Sequence, residues 1–241
     1  MLRRNSGKPA QPLLTVLKES LQKPEARAAA RRLETLVTPR DILAKENFAV
    51  VRPLWTQKAY FDVAKPLLAS ITTLKGLDQP DVRANQSVAV LLMVRHMPFA
   101  IYEDDAEDIL RLAIAVAQRG ASGEQVAAAA APDVRAALHV LKDILIADKE
   151  KGKTHLKSIV SICVDIFSSS PSTPAKTARP NPHSVKLALE IAGGLPNMFD
   201  GQHLLPYRSR VDKELALACG NPVRELRKTA RLAREAWDRL K

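Results

Sequence analysis

The sequence is poor in aromatic residues, which make up 4% of its 241 positions, and in glycine, of which there are 9. A β-rich fold draws its pleated surfaces and tight turns from those residue types, so their scarcity argues against one, while long runs of Ala and Leu favour helices. Cysteine is scarcer still. Cys163 and Cys219 each fall on the apolar stripe of an expected helix, which fits reduced, buried thiols rather than a disulfide framework or a metal site.

No apolar run approaches the roughly 20 residues that a membrane-spanning helix needs, and the N-terminus lacks the continuous apolar core of a secretory signal. The expectation is a soluble, intracellular protein with no membrane partner. The opening MLRRNSGKPAQPLLTVLK, basic and without an acid before Glu19, leaves a mitochondrial presequence as a secondary reading. An array cut open before residue 13 would leave Leu13, Leu14, Leu17 and Leu21 to cover its first repeat face.

Catalytic signatures are missing too. KGKTHL at 151–156 resembles the end of a phosphate-binding loop, but the position five before Gly152 is Ala147 and no strand precedes it, so an inter-helix turn is expected. His96, His139, His155, His183 and His203 show no metal-site spacing, and no Gly-x-Ser-x-Gly elbow or Gly-rich dinucleotide turn occurs. The dense acidic run YEDDAED reads as the start of a helix, where the dipole favours acids. Neither an enzymatic activity nor a cofactor is expected.

What is present is repetition. The tetrapeptide Pro-Asp-Val-Arg opens two apolar-periodic stretches, at Pro80 and at Pro132. In the second, Val134, Ala137, Leu138, Leu141 and Leu145 line one side of a 3.6-residue helix; in the first, Ala84, Val88, Leu91 and Leu92 do. HSVKLALEIAGGLP gives a third stripe through Val185, Ala188, Leu189 and Ala192, and VRELRKTARLAREAW a fourth through Leu226, Ala230, Ala233 and Trp237. The anchors Val82, Val134, Val185 and Leu226 lie 52, 51 and 41 positions apart.

The last three of these helices are preceded by another, carrying in turn Ile109, Leu112, Ala113 and Val116; Leu156, Ile159, Val160, Cys163 and Phe167; and Val211, Leu215 and Ala218. Pro fits a first helical turn and Asp beside it can accept orphan N–H bonds. The expected fold is all-α, a HEAT-type α-solenoid of stacked antiparallel helix hairpins forming a superhelix over 1–241, with a generic helical bundle as the alternative. The segment 168–183, SSSPSTPAKTARPNPH, reads as a flexible Pro/Ser-rich loop within it, and 118–132 as a loop with a short Ala-rich turn of helix.

The formal net charge is +11. It invites a nucleic-acid partner, but the acidic block Glu103, Asp104, Asp105, Glu107 and Asp108 makes that partner secondary to protein ones. The expected binding residues are the cations of the last hairpin: Arg208, Arg210 and Lys213, then Arg224, Arg227, Lys228, Arg231 and Arg234. Positions 224, 227, 228, 231 and 235 share a helix side, and the arginine fork suits a partner's carboxylates. Trp55, Tyr60 and Phe61 are expected to pack at a hairpin junction, and Trp237 to close the last repeat.

Two segments carry a resemblance. Residues 203–237, with Leu204-Leu205-Pro206-Tyr207 followed by Arg208, then Val211, Leu226-Arg227-Lys228 and Trp237, resemble the C-terminal repeats of the Mms-nineteen family. NFAVVRPLWTQKAYFDVAKPLL, residues 47–68, resembles an upstream segment of the same family. Tyr60 and Phe61 sit one place later than in the family pattern, and the 168–183 loop is longer.

The resemblance spans nearly the whole chain but only the C-terminal part of the family's longer members. It implies a non-catalytic HEAT-repeat scaffold of cytosolic iron-sulfur cluster assembly. Such a scaffold docks the WD-repeat propeller and the small acidic-motif partner of the targeting complex. It serves iron-sulfur client proteins such as helicases and polymerases, in cytoplasm and nucleus, with links to TFIIH, transcription and DNA repair. The competing expectation is a HEAT-like DNA-binding protein or alkyl-DNA glycosylase, which would need aromatics and a carboxylate gathered on a concave face.

Overall fold

The computed structural model describes residues 54, 56–73, 80–121, 127–168 and 181–240, and they are helical with no strand among them. A π-helical turn, Tyr60–Ala64, leads into α1 (Lys65–Thr73). There follow α2 (Pro80–Val94), α3 (Ala106–Ala121), α4 (Ala127–Ala147), the short α5 (Lys149–Lys153), α6 (Leu156–Phe167), α7 (Pro182–Met198), α8 (Gly201–Ala218) and α9 (Arg224–Asp238). The chain divides into two compact units, Met1–Leu112 and Ala113–Lys241, with the boundary inside α3. Trp55, most of the 168–183 loop (169–180), and the segments 1–53 and 122–126 lie outside the described residues.

In the first unit the π-turn, α1 and α2 pack on one another. Tyr60 is buried, as expected, whereas Phe61 is 50% exposed with the Lys65 ammonium 5.8 Å from its ring centre. Consecutive residues of a helical turn point to different sides, so with Tyr60 directed inward Phe61 faces out. The acidic run opens α3 as expected, by way of a 3-10 turn. Glu103–Asp105 form a 3-10 turn before α3, and Asp105 accepts from the Tyr60 hydroxyl at 2.6 Å and from Lys65 Nζ at 2.8 Å. Glu107 and Asp108 do lie in the first turn of α3, where Arg111 Nη2 reaches Glu107 at 3.0 Å.

Helix α2 is buried nearly all round: Ala89, Val90, Leu91, Leu92, Met93 and Val94 are inside, and so are Asn85, Gln86 and Ser87. Of its expected stripe, Ala84 and Val88 are only half-buried. Helices covered on several sides lose the one-sided periodicity on which sequence reading depends.

The second unit stacks its helices in two rows. α7 packs against α4 on one side and α9 on the other, while α6 packs against α8. Consecutive antiparallel pairs, α6 with α7 and α8 with α9, cross between the rows. That is the hairpin stacking of a HEAT-type array, in which no hairpin covers its own apolar stripe without its neighbour. The anchors Val134, Val185 and Leu226 are all buried, on α4, α7 and α9 of one row. An ion pair ties neighbours within each row: Lys142 to Glu190 at 2.6 Å between α4 and α7, and Arg210 to Asp165 at 2.7 Å between α8 and α6.

Local chemistry fixes the helix ends. Asn181 accepts from His183 N–H at 2.9 Å with Pro182 at the first position of α7, so residues 182–183 belong to a helix and not to the loop. Asp148 caps α5 and Asp200 caps α8. The expected turn at 151–156 is the end of α5 followed by Thr154–His155.

The start of α4 needs correction. It begins at Ala127, five residues before Pro132, and Asp133 is buried inside it instead of capping it. Alanine, the strongest helix former, extends the helix back through the run expected to be mostly loop.

The α7–α9 crossing is unusually close. A Cβ added at Gly193 would stand 2.9 Å from the Ala233 Cα and 3.0 Å from its Cβ. Backbone cannot yield as a flexible side chain can, so Gly193→Ala is expected to cost about 1–3 kcal/mol through forced separation of the two helices. Urea denaturation followed by circular dichroism checks this. Gly194→Ala, whose Cβ would meet only the movable Met198 Cε at 3.2 Å, is the control and should change stability far less.

Candidate partner-docking face

Helix α9 has one buried side, Leu226, Ala230, Ala233 and Trp237, the four positions the sequence pattern assigns. Trp237 is fully buried, and its indole Nε1 donates to the Ala192 carbonyl of α7 at 2.8 Å. That carbonyl is the one whose i+4 donor would be residue 196, and residue 196 is proline, inside α7. The missing N–H leaves Ala192 O without its helical partner. Trp237 supplies the replacement from the neighbouring helix, which fixes both the rotation and the height of α9 against α7.

With that side pinned, Arg224, Lys228 and Arg231 face outward together with Glu235. These four, with Arg227 and Leu232, line a shallow depression of about 430 Å³. Leu232 and Glu235 also line a second depression of about 390 Å³ between α7 and α9, whose far wall is Leu189, Gly193 and Gly194. Among the described residues the side chains of Arg224, Lys228, Arg231 and Glu235 make no hydrogen bond or ion pair. Leu232 is 57% exposed.

The eight cations expected to bind a partner therefore separate by structural role. Arg227 donates to the carbonyls of Asn221 and Pro222 at 2.8 and 2.9 Å, clamping the turn that leads into α9. Arg208 donates to the Leu240 carbonyl at 2.9 Å, and its Nε lies 3.5 Å from Asp212. Arg210 is spent on Asp165, with Ser161 Oγ at 3.5 Å. Lys213 and Arg234 are exposed but do not line the depression. Arg224, Lys228 and Arg231 are the uncommitted cations that come together there.

Sequence reasoning missed Leu232 and the Gly193–Gly194 crevice beside it. The signal was a leucine two residues beyond Ala230 and off the buried stripe.

No described helix is long and apolar enough to cross a membrane, and no three metal-ligating side chains cluster among the described residues. Cys163 is buried, and burial pushes its thiol up to about 12; Cys219, expected inside, is only half-buried at the end of α8.

The sequence model of the MMS19_C family, described as "RNAPII transcription regulator C-terminal", matches residues 3–188. The chain belongs to this family. The match takes in the 47–68 segment and runs into α7. The 203–237 segment, with α8, α9 and the docking face, lies beyond it. No curated protein matches the chain.

Proposed function

We propose that this member of the RNAPII transcription regulator C-terminal family is a non-catalytic adaptor of cytosolic iron-sulfur cluster assembly, acting in cytoplasm and nucleus. Its outer helices dock the WD-repeat propeller and the small acidic-motif partner of the targeting complex. That assembly delivers clusters to clients of DNA repair, replication and transcription, helicases and polymerases among them. The observation that carries the reading is the row of three cations on α9, Arg224, Lys228 and Arg231, whose side chains form no ion pair although Glu235 lies among them, on a helix whose opposite side is locked into the fold. Unspent arginines on a rigid element are suited to bidentate capture of a partner's carboxylates and add little to the stability of their own chain.

Arg224→Glu/Lys228→Glu/Arg231→Glu in the full chain is expected to abolish co-purification of the propeller partner from its native cell while leaving the melting temperature within a degree or two. Arg227 is kept, because its reversal would release the turn at Asn221–Pro222 and confuse docking with folding. Undiminished co-purification would remove α9 as the docking element.

A further inference from the structure

The two depressions on α9 share Leu232 and Glu235 as lining residues, so the cation row and the α7–α9 crevice adjoin along one track on the helix surface. Arg224, Lys228 and Leu232 follow one another at four-residue steps. Each step advances about 6 Å along the helix axis and drifts about 40° around it, because 3.6 residues make a turn and each rises 1.5 Å. The line therefore starts on the outward face and slants into the crevice walled by Leu189, Gly193 and Gly194. In an extended peptide, side chains on one face recur every second residue, about 6.6 Å apart. The two spacings agree over three positions.

We infer that this track takes an extended acidic peptide of pattern acid-x-acid-x-apolar, its two carboxylates on Arg224 and Lys228 and its apolar side chain against Leu232 in the crevice. Arg231 lies beside the same row and adds to the field on the second carboxylate. Glu235 has a place in this arrangement too: it can accept a backbone N–H from the peptide.

Glu235 also separates the peptide from a nucleic acid. A carboxylate among the cations repels phosphates, and the one described tryptophan of this helix, Trp237, is fully buried and offers no ring to stack a base. The inference deepens the adaptor reading by naming what the docking face recognises in its partner.

The test uses the full chain and a fluorescein-labelled peptide with Asp-Ser-Glu-Ser-Phe set in Gly-Ser flanks, read by fluorescence anisotropy. Binding is expected to weaken at least about tenfold in Arg224→Glu/Lys228→Glu, and about as much when Asn and Gln replace the peptide's acids. Leu232→Ser should weaken it by a comparable factor, and placing Ser at the peptide's Phe should then cause no further loss, because the two side chains meet each other. Leu232 is exposed, so the melting temperature of Leu232→Ser serves as a control that should stay unchanged.

Three results would overturn the inference: equal binding of the neutral peptide, indifference to Leu232→Ser, or displacement by mixed-sequence single-stranded DNA at lower concentration than by unlabelled peptide. If these peptide results fail while the charge-reversed chain still loses its propeller partner, the adaptor reading survives without this recognition pattern. If binding holds and co-purification is unaffected, the peptide site stands and the adaptor assignment of α9 falls.

Discussion

Trp237→Phe lowers stability by about 1–3 kcal/mol although it keeps an aromatic ring in the same slot, because it leaves a buried acceptor without a donor. The Ala192 carbonyl has no helical partner, since position 196 is proline, and the indole N–H at 2.8 Å is the substitute. Trp237→Ala adds a cavity to the lost bond and is expected to cost about 3–5 kcal/mol. The decisive comparison is made in Pro196→Ala, which returns an N–H at the natural helical position. In that background Ala192 O is satisfied within α7, and Trp237→Phe should cost well under half of what it costs in the native chain. Urea unfolding of the four proteins, followed by circular dichroism, gives the coupling directly. If Trp237→Phe costs the same in both backgrounds, the indole contributes shape and burial only, and the proline has no part in choosing tryptophan at 237.

This pair also shows where the sequence is legible and where it is not. The stripe Leu226, Ala230, Ala233, Trp237 is an arithmetic pattern within one helix, and so are Ile109, Leu112, Ala113, Val116 on α3 and Leu156, Ile159, Val160, Cys163, Phe167 on α6; all are buried. Each of these helices has one wet side, which makes the period visible. Helix α2 has almost no wet side, and its buried Asn85, Gln86 and Ser87 break any apolar rule.

The prolines inside helices are tolerated for reasons that local periodicity does not carry. α7 runs past Pro196 to Met198, with another helix satisfying the carbonyl that proline abandons; Pro206 lies inside α8, with both it and Gln202, four residues before it, open to water. Tertiary partners of this kind are invisible to local periodicity.

The candidate face divides along the same line. That positions 224, 227, 228 and 231 share a side follows from helix geometry alone. That Arg227, Arg208 and Arg210 are consumed by the turn, by Leu240 and by Asp165 depends on groups up to 45 residues away for the last of them. Charge counting finds cations and cannot tell a committed arginine from a free one. It is also blind to Leu232, which is conspicuous only once Gly193 has drawn α7 and α9 together beside it.

Asp105→Ala is the second substitution with a large expected effect, about 2–3 kcal/mol, since one carboxylate serves both a buried phenol and an ammonium. Tyr60 is almost wholly enclosed, so removing its acceptor strands the hydroxyl in the core. Burial, then the bond to Asp105, raises the Tyr60 phenol far above its ordinary value, and it remains a donor throughout the accessible pH range.

For Asp105 itself, burial works to raise the carboxyl. The bonds from Lys65 and Tyr60 outweigh it and hold the group below its ordinary 3.8. A folded value below the unfolded one means that the unfolded chain binds the proton more tightly. The contribution is therefore complete above about 3.8 and disappears as pH falls through the lower folded value.

Asp105→Asn, which keeps an acceptor for Tyr60 but no charge for Lys65, should be less stable than the native chain at neutral pH and converge on it below that window. Tyr60→Phe should make Asp105→Ala cheaper, because no phenol is then stranded. Urea midpoints measured from neutral pH down through 3 give both results. If the difference between the native chain and Asp105→Asn does not vary with pH, the ammonium at 2.8 Å contributes nothing, and the 3-10 turn at 103–105 is held to the π-turn by the tyrosine alone.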